Sequence, residues 1–227
     1  MNAKVGVFDS GIGGLSVANA IKNNLENVEV IFRNDQQHMP YGDKGLEEVL
    51  SLSLPIVKSL ENDGCQVIVL ACNTISTTLL EHIEKHIKVP LIAVEPMILQ
   101  ASQKTKSNKI TVCATPNTLA SSRYQYLIEK YAKHLSIFEP DCSDWAYLIE
   151  KNEMYKETIS DCILPSISSG SDVVVLGCTH YHWIDKEVKL IVGHKASVLQ
   201  PEQLIVDQVR ESLKRLDRIG LLYLGSF

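Results

Sequence analysis

Residues 67–74 read VIVLACNT and residues 173–180 read VVVLGCTH, so an apolar strand runs into a cysteine twice in the chain. Small polar residues that favour helix starts follow each cysteine. Four strand-like segments of the first half recur in the same order in the second half, about 105 positions later. Cys72 and Cys178 therefore occupy equivalent positions, and the sequence predicts a duplicated α/β unit.

Amphipathic helical patterns separate the apolar strands along the whole chain. This alternation predicts parallel sheets with helices on both faces. We expect an α/β protein with two pseudo-symmetric parallel-sheet domains that face each other across an active-site cleft. The first domain would span residues 1–95, completed by the C-terminal segment 202–227, and the second would span residues 96–201. A single doubly wound sheet of about eight strands is the alternative.

Three further segments carry specific expectations. Residues 75–87 are apolar at every third or fourth position, which predicts one helix. Pro55 interrupts the helical pattern of residues 46–60, so that helix should be kinked or begin late. The apolar residues 219–227, IGLLYLGSF, should pack on the body of the protein or on a partner.

Composition excludes several classes of protein. The 227 residues carry a formal net charge of −5 and form no Lys/Arg cluster, which argues against nucleic acid as a partner. No apolar run approaches the roughly 20 residues of a bilayer span, and the N-terminus lacks the apolar region of a secretory signal. We expect a cytoplasmic protein with reduced cysteines, a small-molecule substrate and no membrane partner. The sequence leaves open whether the chain forms a homodimer.

Polar motifs follow the strands where ligands collect in open α/β sheets. A cysteine at a helix N-terminus should have a lowered pKa and be partly thiolate. Two such cysteines on opposite sides of a ligand suit inversion at carbon, because one thiolate can remove a proton while the opposite thiol delivers one. The motifs are Asp9-Ser10-Gly11, Cys72-Asn73-Thr74, Ala114-Thr115-Pro116 and Cys178-Thr179-His180.

Other interpretations of these motifs are weaker. One buried cysteine at a strand end is more often a packing residue, but two at matched positions favour chemistry. Cys178, His180 and His182 suggest zinc, yet one short turn seldom supplies several tetrahedral ligands, so we predict no metal site. The segment DSGIGG has Ser16 where a dinucleotide fingerprint needs its third glycine. It still allows close backbone approach to a ligand, and Asp9 can hold an ammonium or orient a thiol.

Together these residues resemble the glutamate racemase family, within the cofactor-independent aspartate/glutamate racemase superfamily. The resemblance implies that two cysteines invert glutamate without pyridoxal phosphate or a metal, and that the product supplies D-glutamate for bacterial peptidoglycan. The matching motifs are GVFDSGIGGLSV, DQQHMPYGDKG from Asp35, ACNT, ATPNT, the stretch Cys142 to Glu150, and LGCTHY.

The same similarity assigns roles to individual residues. Cys72 would act on the D-enantiomer and Cys178 on the L-enantiomer, and Asp9, His180 and Glu150 match supporting acids and bases. Without the resemblance, His180 could equally cap a helix, Tyr41 could pack in a turn and Glu150 could be a solvated helix residue. The implied substrate-binding positions are Asp9, Ser10, Tyr41, Gly42, Asn73, Thr74, Thr115, Thr118, Thr179 and His180.

The chain departs from the family pattern at His38, at His182 and at Gln200-Pro201, and its C-terminal region is short. These departures bear on subunit contacts, regulation and fine substrate preference. Two alternative functions stay open. One is a racemase for aspartate or another amino acid, since one methylene is worth only about 1–3 kcal/mol of discrimination. The other is a catalytically dormant relative that binds a ligand in the cleft.

Overall fold

The computed structural model describes the backbone of residues 2–224 and the side chains of residues 2–216. Its strands are β1 (Ala3–Asp9), β2 (Val28–Asn34), β3 (Val67–Leu70), β4 (Leu91–Ala93), β5 (Lys109–Cys113), β6 (Ser136–Phe138), β7 (Val173–Leu176) and β8 (Ser197–Leu199). Its helices are α1 (Leu15–Asn24), α2 (Leu46–Asn62), α3 (Asn73–Thr78), α4 (Leu80–Glu84), α5 (Ile98–Lys104), α6 (Pro116–Ala120), α7 (Ser122–Leu127), α8 (Trp145–Glu150), α9 (Lys156–Ser168), α10 (Asp185–Val192) and α11 (Glu202–Leu224). A π-helical turn covers Ile128–Ala132, and a 3₁₀ helix covers Thr179–Ile184.

The described strands form two parallel four-stranded sheets with the same internal order. The orders are β2-β1-β3-β4 and β6-β5-β7-β8. The pairing repeats as well, since Phe8 pairs with Leu70 in the first sheet and Cys113 pairs with Leu176 in the second. The predicted α/β class with two pseudo-symmetric halves is therefore confirmed, and the alternative of one eight-stranded sheet is wrong.

Each central strand is buried on both faces because helices cover both sides of each sheet. In the first half, α1 and α11 pack on one face, and α2, α3 and α4 pack on the other. In the second half, α8, α9 and α10 cover one face, and α5 and α7 cover the other. All residues of β3 and β7 are buried, which explains why both segments read as unbroken apolar runs ending at a cysteine.

The chain crosses between the halves twice. Residues 95 and 96 lie between β4, at the edge of the first sheet, and α5, which packs on the second. After β8 the chain returns, and Ile205, Val206 and Val209 of α11 join the core of the first sheet. The predicted packing of residues 219–227 falls outside the described side chains. Within the described residues, no helix combines the length and the apolar character that a membrane span requires.

One local expectation is wrong, and one of the two alternatives in another is excluded. Residues 75–87 form two short helices that meet at Leu79, because the hydroxyls of Thr77 and Thr78 bond back to backbone carbonyls and disturb the helix. The helix containing Pro55 does not begin late but starts at Leu46. Pro55 lies on its exposed face, where water can satisfy the carbonyl that the missing N–H leaves free.

Replacing Ile205 with Ala should lower the free energy of unfolding by about 2–5 kcal/mol, because the side chain is 2% exposed within the core of the first sheet. Leu204 of the same helix is 36% exposed. Its replacement with Ala should cost about 0.5 kcal/mol or less. Urea denaturation of both variants measures the two costs, and equal costs would contradict the placement of α11.

Candidate active site

The four polar motifs at the strand ends converge where the two halves face each other. Within the first half, the Ser10 hydroxyl lies 3.5 Å from the Cys72 sulfur. Across the halves, the hydroxyls of Thr74 and Thr115 are 3.2 Å apart. Thr179 donates a hydrogen bond of 3.0 Å to Asp9 from the opposite side. All of these side chains are buried, so the cleft has a closed polar lining.

Cys72 follows β3 and precedes the first residue of α3. Burial raises the pKa of its thiol to about 12, and the negative charge of Asp9 adds to this rise, while the hydrogen bond with Ser10 opposes it. The expectation that its position at a helix start lowers the pKa is therefore wrong. The helix has only six residues, so the N-terminal dipole is too weak to offset burial and a neighbouring carboxylate.

Cys178 stands at the equivalent position but has different neighbours. Its sulfur lies 3.7 Å from Nδ1 of His180, and Nε2 of the same ring lies 2.7 Å from a carboxylate oxygen of Glu150. The side chains of His180 and Glu150 are 2% and 4% exposed. Thiol, imidazole and carboxylate thus form one buried relay, and Glu150 is not the solvated helix residue of the alternative interpretation.

Charges within this relay favour an ion pair. Burial opposes protonation of His180, yet its hydrogen bonds to Cys178 and Glu150 raise its pKa to about 10. Burial likewise opposes ionisation of Glu150, but bonds from His180, the Ile12 N–H and the Gln36 amide lower its pKa. The shifts of both pKa values favour an imidazolium–carboxylate pair beside the Cys178 sulfur.

The glycine turn after β1 lies directly against the relay. A Cβ on Gly11 would meet a carboxylate oxygen of Glu150 at 2.2 Å, and one on Gly13 would meet the backbone N of His180 at 2.7 Å. Side chains at these positions would force the two halves apart. The glycines permit the close backbone approach expected from sequence, and here the approach is to the opposite half of the protein.

The Asp9 carboxylate accepts hydrogen bonds that hold this turn in place. One carboxylate oxygen accepts hydrogen bonds from the N–H groups of Gly11 and Gly14, at 3.2 and 3.0 Å. The other accepts from Thr179 of the second half. Asp9 is fully buried, and its charge bears on Cys72 without a direct hydrogen bond between the described atoms.

The other predicted substrate positions line the opposite side of the cleft. Gly42 packs against Thr115, whose hydroxyl lies 3.0 Å from that of Thr118. The buried Tyr41 hydroxyl donates its hydrogen bond to Asp35, so this hydroxyl already has a partner within the protein. Asn73 is 3% exposed, and neither polar atom of its amide has a hydrogen-bond partner among the described residues. Such an amide is ready to bind a polar ligand.

The alternative of a zinc site finds no support in the described residues, where no three His, Cys, Asp or Glu side chains form a metal-binding group. His182 turns away from Cys178 and bonds Ser16 and Glu202 instead. His38, another position that departs from the family pattern, contacts Asp35 through its ring.

Sequence reasoning missed several positioning residues. Gln36 donates a 2.6 Å hydrogen bond to Glu150, and Asn117 donates to the carbonyls of Tyr41 and Lys44 across the halves. Both residues lie inside the quoted motifs, DQQHMPYGDKG and ATPNT. Their amides signalled a polar role, but no periodicity or spacing indicates which partner on the other half they contact.

Comparisons with known proteins agree with this architecture. The family model described as Asp/Glu/Hydantoin racemase matches residues 15–209. The glutamate racemase of Herpetosiphon aurantiacus is 32% identical over 220 residues, which are 95% of this chain and 87% of that protein. Escherichia coli glutamate racemase, solved with L-glutamate and the activator UDP-MurNAc-ala, superposes with a TM-score of 0.87 at 26% identity, covering 94% of this chain and 83% of that one. The fold is shared with Picrophilus torridus aspartate racemase, which superposes with a TM-score of 0.64 at 18% identity. That match covers 93% of this chain and 94% of the other.

Replacing Gly13 with Ala should displace the Thr179–His180 turn, because the new methyl group meets backbone atoms that cannot rotate away. We expect a loss of about 1–3 kcal/mol in unfolding free energy. Gly45 is the matched control, since a Cβ there has open space and an ordinary backbone angle. Gly45→Ala should change the value by less than about 0.5 kcal/mol. Similar costs at both positions in chemical denaturation would refute the close approach.

The Glu150–His180 pair should leave a pH signature. Because the pKa of His180 is raised from 6.5 to about 10, its protonated form stabilises the fold fully below pH 6.5, and that stabilisation is lost as pH rises through 10. The Glu150→Gln variant should lower the His180 pKa in an NMR titration and weaken this pH dependence of unfolding. Glu48→Gln alters an exposed ion pair with Lys44 and should change neither. An unshifted His180 titration in Glu150→Gln would contradict the relay.

Proposed function

Since the chain belongs to the Asp/Glu/hydantoin racemase family, it is an isomerase, and we propose that it interconverts L- and D-glutamate. The observation that carries this proposal is the placement of two thiols, Cys72 and Cys178, at equivalent strand ends of two halves that face one cleft. Proton removal on one face and proton delivery on the other invert the α-carbon. Relatives named glutamate racemase support the choice of substrate.

The two thiols have different polar neighbours in this proposal. Burial and the charge of Asp9 raise the pKa of Cys72 to about 12, so its thiol is protonated at neutral pH. The Cys178 sulfur instead lies 3.7 Å from the His180 ring, which Glu150 holds in place. We therefore assign Cys178 as the base for L-glutamate and Cys72 as the acid in that direction.

The reverse direction needs Cys72 as a thiolate, and the substrate itself supplies the means. A substrate ammonium near Asp9 would neutralise the charge that raises the Cys72 pKa. Asp9 is held in place by the glycine turn and by Thr179, so it can receive that ammonium without rearrangement. Its role is to couple substrate binding to ionisation of the first thiol.

Backbone N–H groups and small hydroxyls suit the two carboxylates of glutamate. The unpaired amide of Asn73 supplies a donor and an acceptor within the cleft. The proposed binding positions are those that sequence analysis named, namely Asp9, Ser10, Tyr41, Gly42, Asn73, Thr74, Thr115, Thr118, Thr179 and His180. Tyr41 contributes through its backbone, since its hydroxyl bonds Asp35.

The remaining parts of the proposal concern the setting of the reaction. Both proton transfers use side chains of this chain, so the reaction needs neither pyridoxal phosphate nor a metal. The product is D-glutamate for bacterial peptidoglycan, made in the cytoplasm. The halves act as two domains that face each other across the substrate cleft, one spanning residues 1–95 with 202–227 and the other spanning residues 96–201. A homodimer is the assembly to be tested by sedimentation.

Circular dichroism of the purified protein against a panel of D- and L-amino acids, without added cofactor, tests the function. Glutamate should racemise fastest. Faster turnover of aspartate than of glutamate would identify aspartate as the substrate. Binding without exchange of the α-hydrogen in deuterated water would show a dormant relative.

In that assay, Cys72→Ser and Cys178→Ser should each slow racemisation by about 10²–10⁴-fold, because a serine hydroxyl is a far weaker acid than a thiol. Cys162, which contacts Cys142 away from the cleft, provides the control. Cys162→Ser should keep wild-type turnover. Near-normal rates in either of the first two variants would exclude the two-thiol mechanism.

A further inference from the structure

His182 joins the two halves through a single ring nitrogen. Its side chain is 1% exposed and lies in the 3₁₀ helix that begins at Thr179. Nδ1 is 3.1 Å from the Ser16 hydroxyl and 3.0 Å from a carboxylate oxygen of Glu202. Ser16 lies in the first turn of α1 and Glu202 begins α11, and these two helices pack together on the first sheet. We name these three side chains the Ser16–His182–Glu202 clasp.

The direction of the hydrogen bonds follows from the partners. The Ser16 hydroxyl donates to the Gly13 carbonyl at 3.1 Å, so its lone pairs face His182. The Glu202 carboxylate is an acceptor, and its pKa is lowered because the hydrogen bond from His182 overcomes the opposing effect of burial. Because a carboxylate can only accept, Nδ1 carries the proton and donates to Glu202, with the Ser16 oxygen as a second acceptor at 3.1 Å. Nε2 is buried and has no hydrogen-bond partner among the described residues.

The clasp connects the same two turns that meet at the reacting groups. Ser16 fixes the carbonyl of Gly13, and Gly13 packs against the backbone of Thr179 and His180. His182 follows His180 by two residues in the same short helix. A displacement at His182 would therefore move the Cys178–His180 turn relative to Asp9. Among the described residues, Nδ1 makes all the hydrogen bonds of the His182 ring.

We propose that His182 is a positioning residue of the racemase, which holds the Cys178–His180 turn in register with the glycine turn by donating from Nδ1 to Ser16 and Glu202. This inference rests on the proposed function, since register matters there for proton transfer to and from the α-carbon. Misplacement by about 1 Å can cost an enzyme about 10²-fold in rate. His182 itself need not touch the substrate.

Two substitutions separate the donated hydrogen bond from simple filling of space. His182→Asn keeps an N–H donor close to the position of Nδ1, whereas His182→Leu keeps bulk without a donor. His182→Leu should lower kcat by about 10- to 100-fold. It should also raise the primary deuterium isotope effect from L-glutamate more than that from D-glutamate, because the turn it displaces carries the base for the L-enantiomer. His182→Asn should recover kcat and both isotope effects.

A readout independent of turnover is the rate at which iodoacetamide labels Cys178 relative to Cys72, followed by peptide mass spectrometry. Cys178 is 6% exposed, so loosening of its turn should speed its labelling in His182→Leu but not in His182→Asn. Ser16→Ala removes one acceptor and should shift labelling in the same direction, which keeps the test intact if His182→Leu does not fold. Ile110→Val weakens the core on the other face of the second sheet, which contains neither cysteine and no residue of the His182 helix, and should lower the melting temperature without changing the ratio.

Equal behaviour of His182→Leu and His182→Asn in isotope effects and labelling would overturn the proposal. So would a His182→Leu variant that loses only melting temperature, as expected for Ile110→Val. Failure of the proposed function is a separate result, because a wild-type protein that does not racemise glutamate can still show the predicted labelling ratios. In that case the clasp stands as the device that fixes the two turns, and the reaction must be reassigned.

Discussion

The carboxylate of Glu150 is the interaction on which the cleft depends. It accepts hydrogen bonds from the Ile12 N–H, the Gln36 amide and the His180 ring, so one buried charge binds three separate segments. A buried carboxylate is costly unless such donors surround it, and hydrogen bonds to a charged group are worth about 1.5–3 kcal/mol each. The glycine turn after β1 lies against this carboxylate, and a side chain at Gly11 would collide with it. The glycine turn and the imidazolium both follow from that one charge.

Much of the fold was predictable because it depends on local patterns. Apolar runs that end in a cysteine indicated buried parallel strands, and their recurrence indicated the repeat that the two sheets confirm. The strand-end rule also indicated which loops would converge, since Ser10 contacts Cys72 and Thr74 contacts Thr115. These inferences need only the period of a strand and the polarity of a parallel sheet.

Sequence patterns misjudged or missed those properties that depend on tertiary contacts. The pKa of Cys72 rises because burial and a neighbouring carboxylate outweigh a short helix, and no local pattern measures burial of a single sulfur. Pro55 is accommodated because it happens to lie on the solvent side of its helix. His182 stood out only as a departure from a family pattern. Its partners Ser16 and Glu202 are distant from it in sequence, and the contacts form only when the second half packs against α1 and α11.

The internal repeat has a consequence for how the two ends of the cleft can differ. In a dimer of two identical half-length chains, symmetry would place the same residue at both equivalent positions of the shared interface. Here Asn73-Thr74 follows one cysteine and Thr179-His180 follows the other, and among the described side chains only the second pair hydrogen-bonds a carboxylate such as Glu150. Covalent fusion of the halves removes the symmetry constraint, so each copy can diverge on its own. A single chain can then bring an unlike pair of proton carriers to the mirror-related faces of one small molecule.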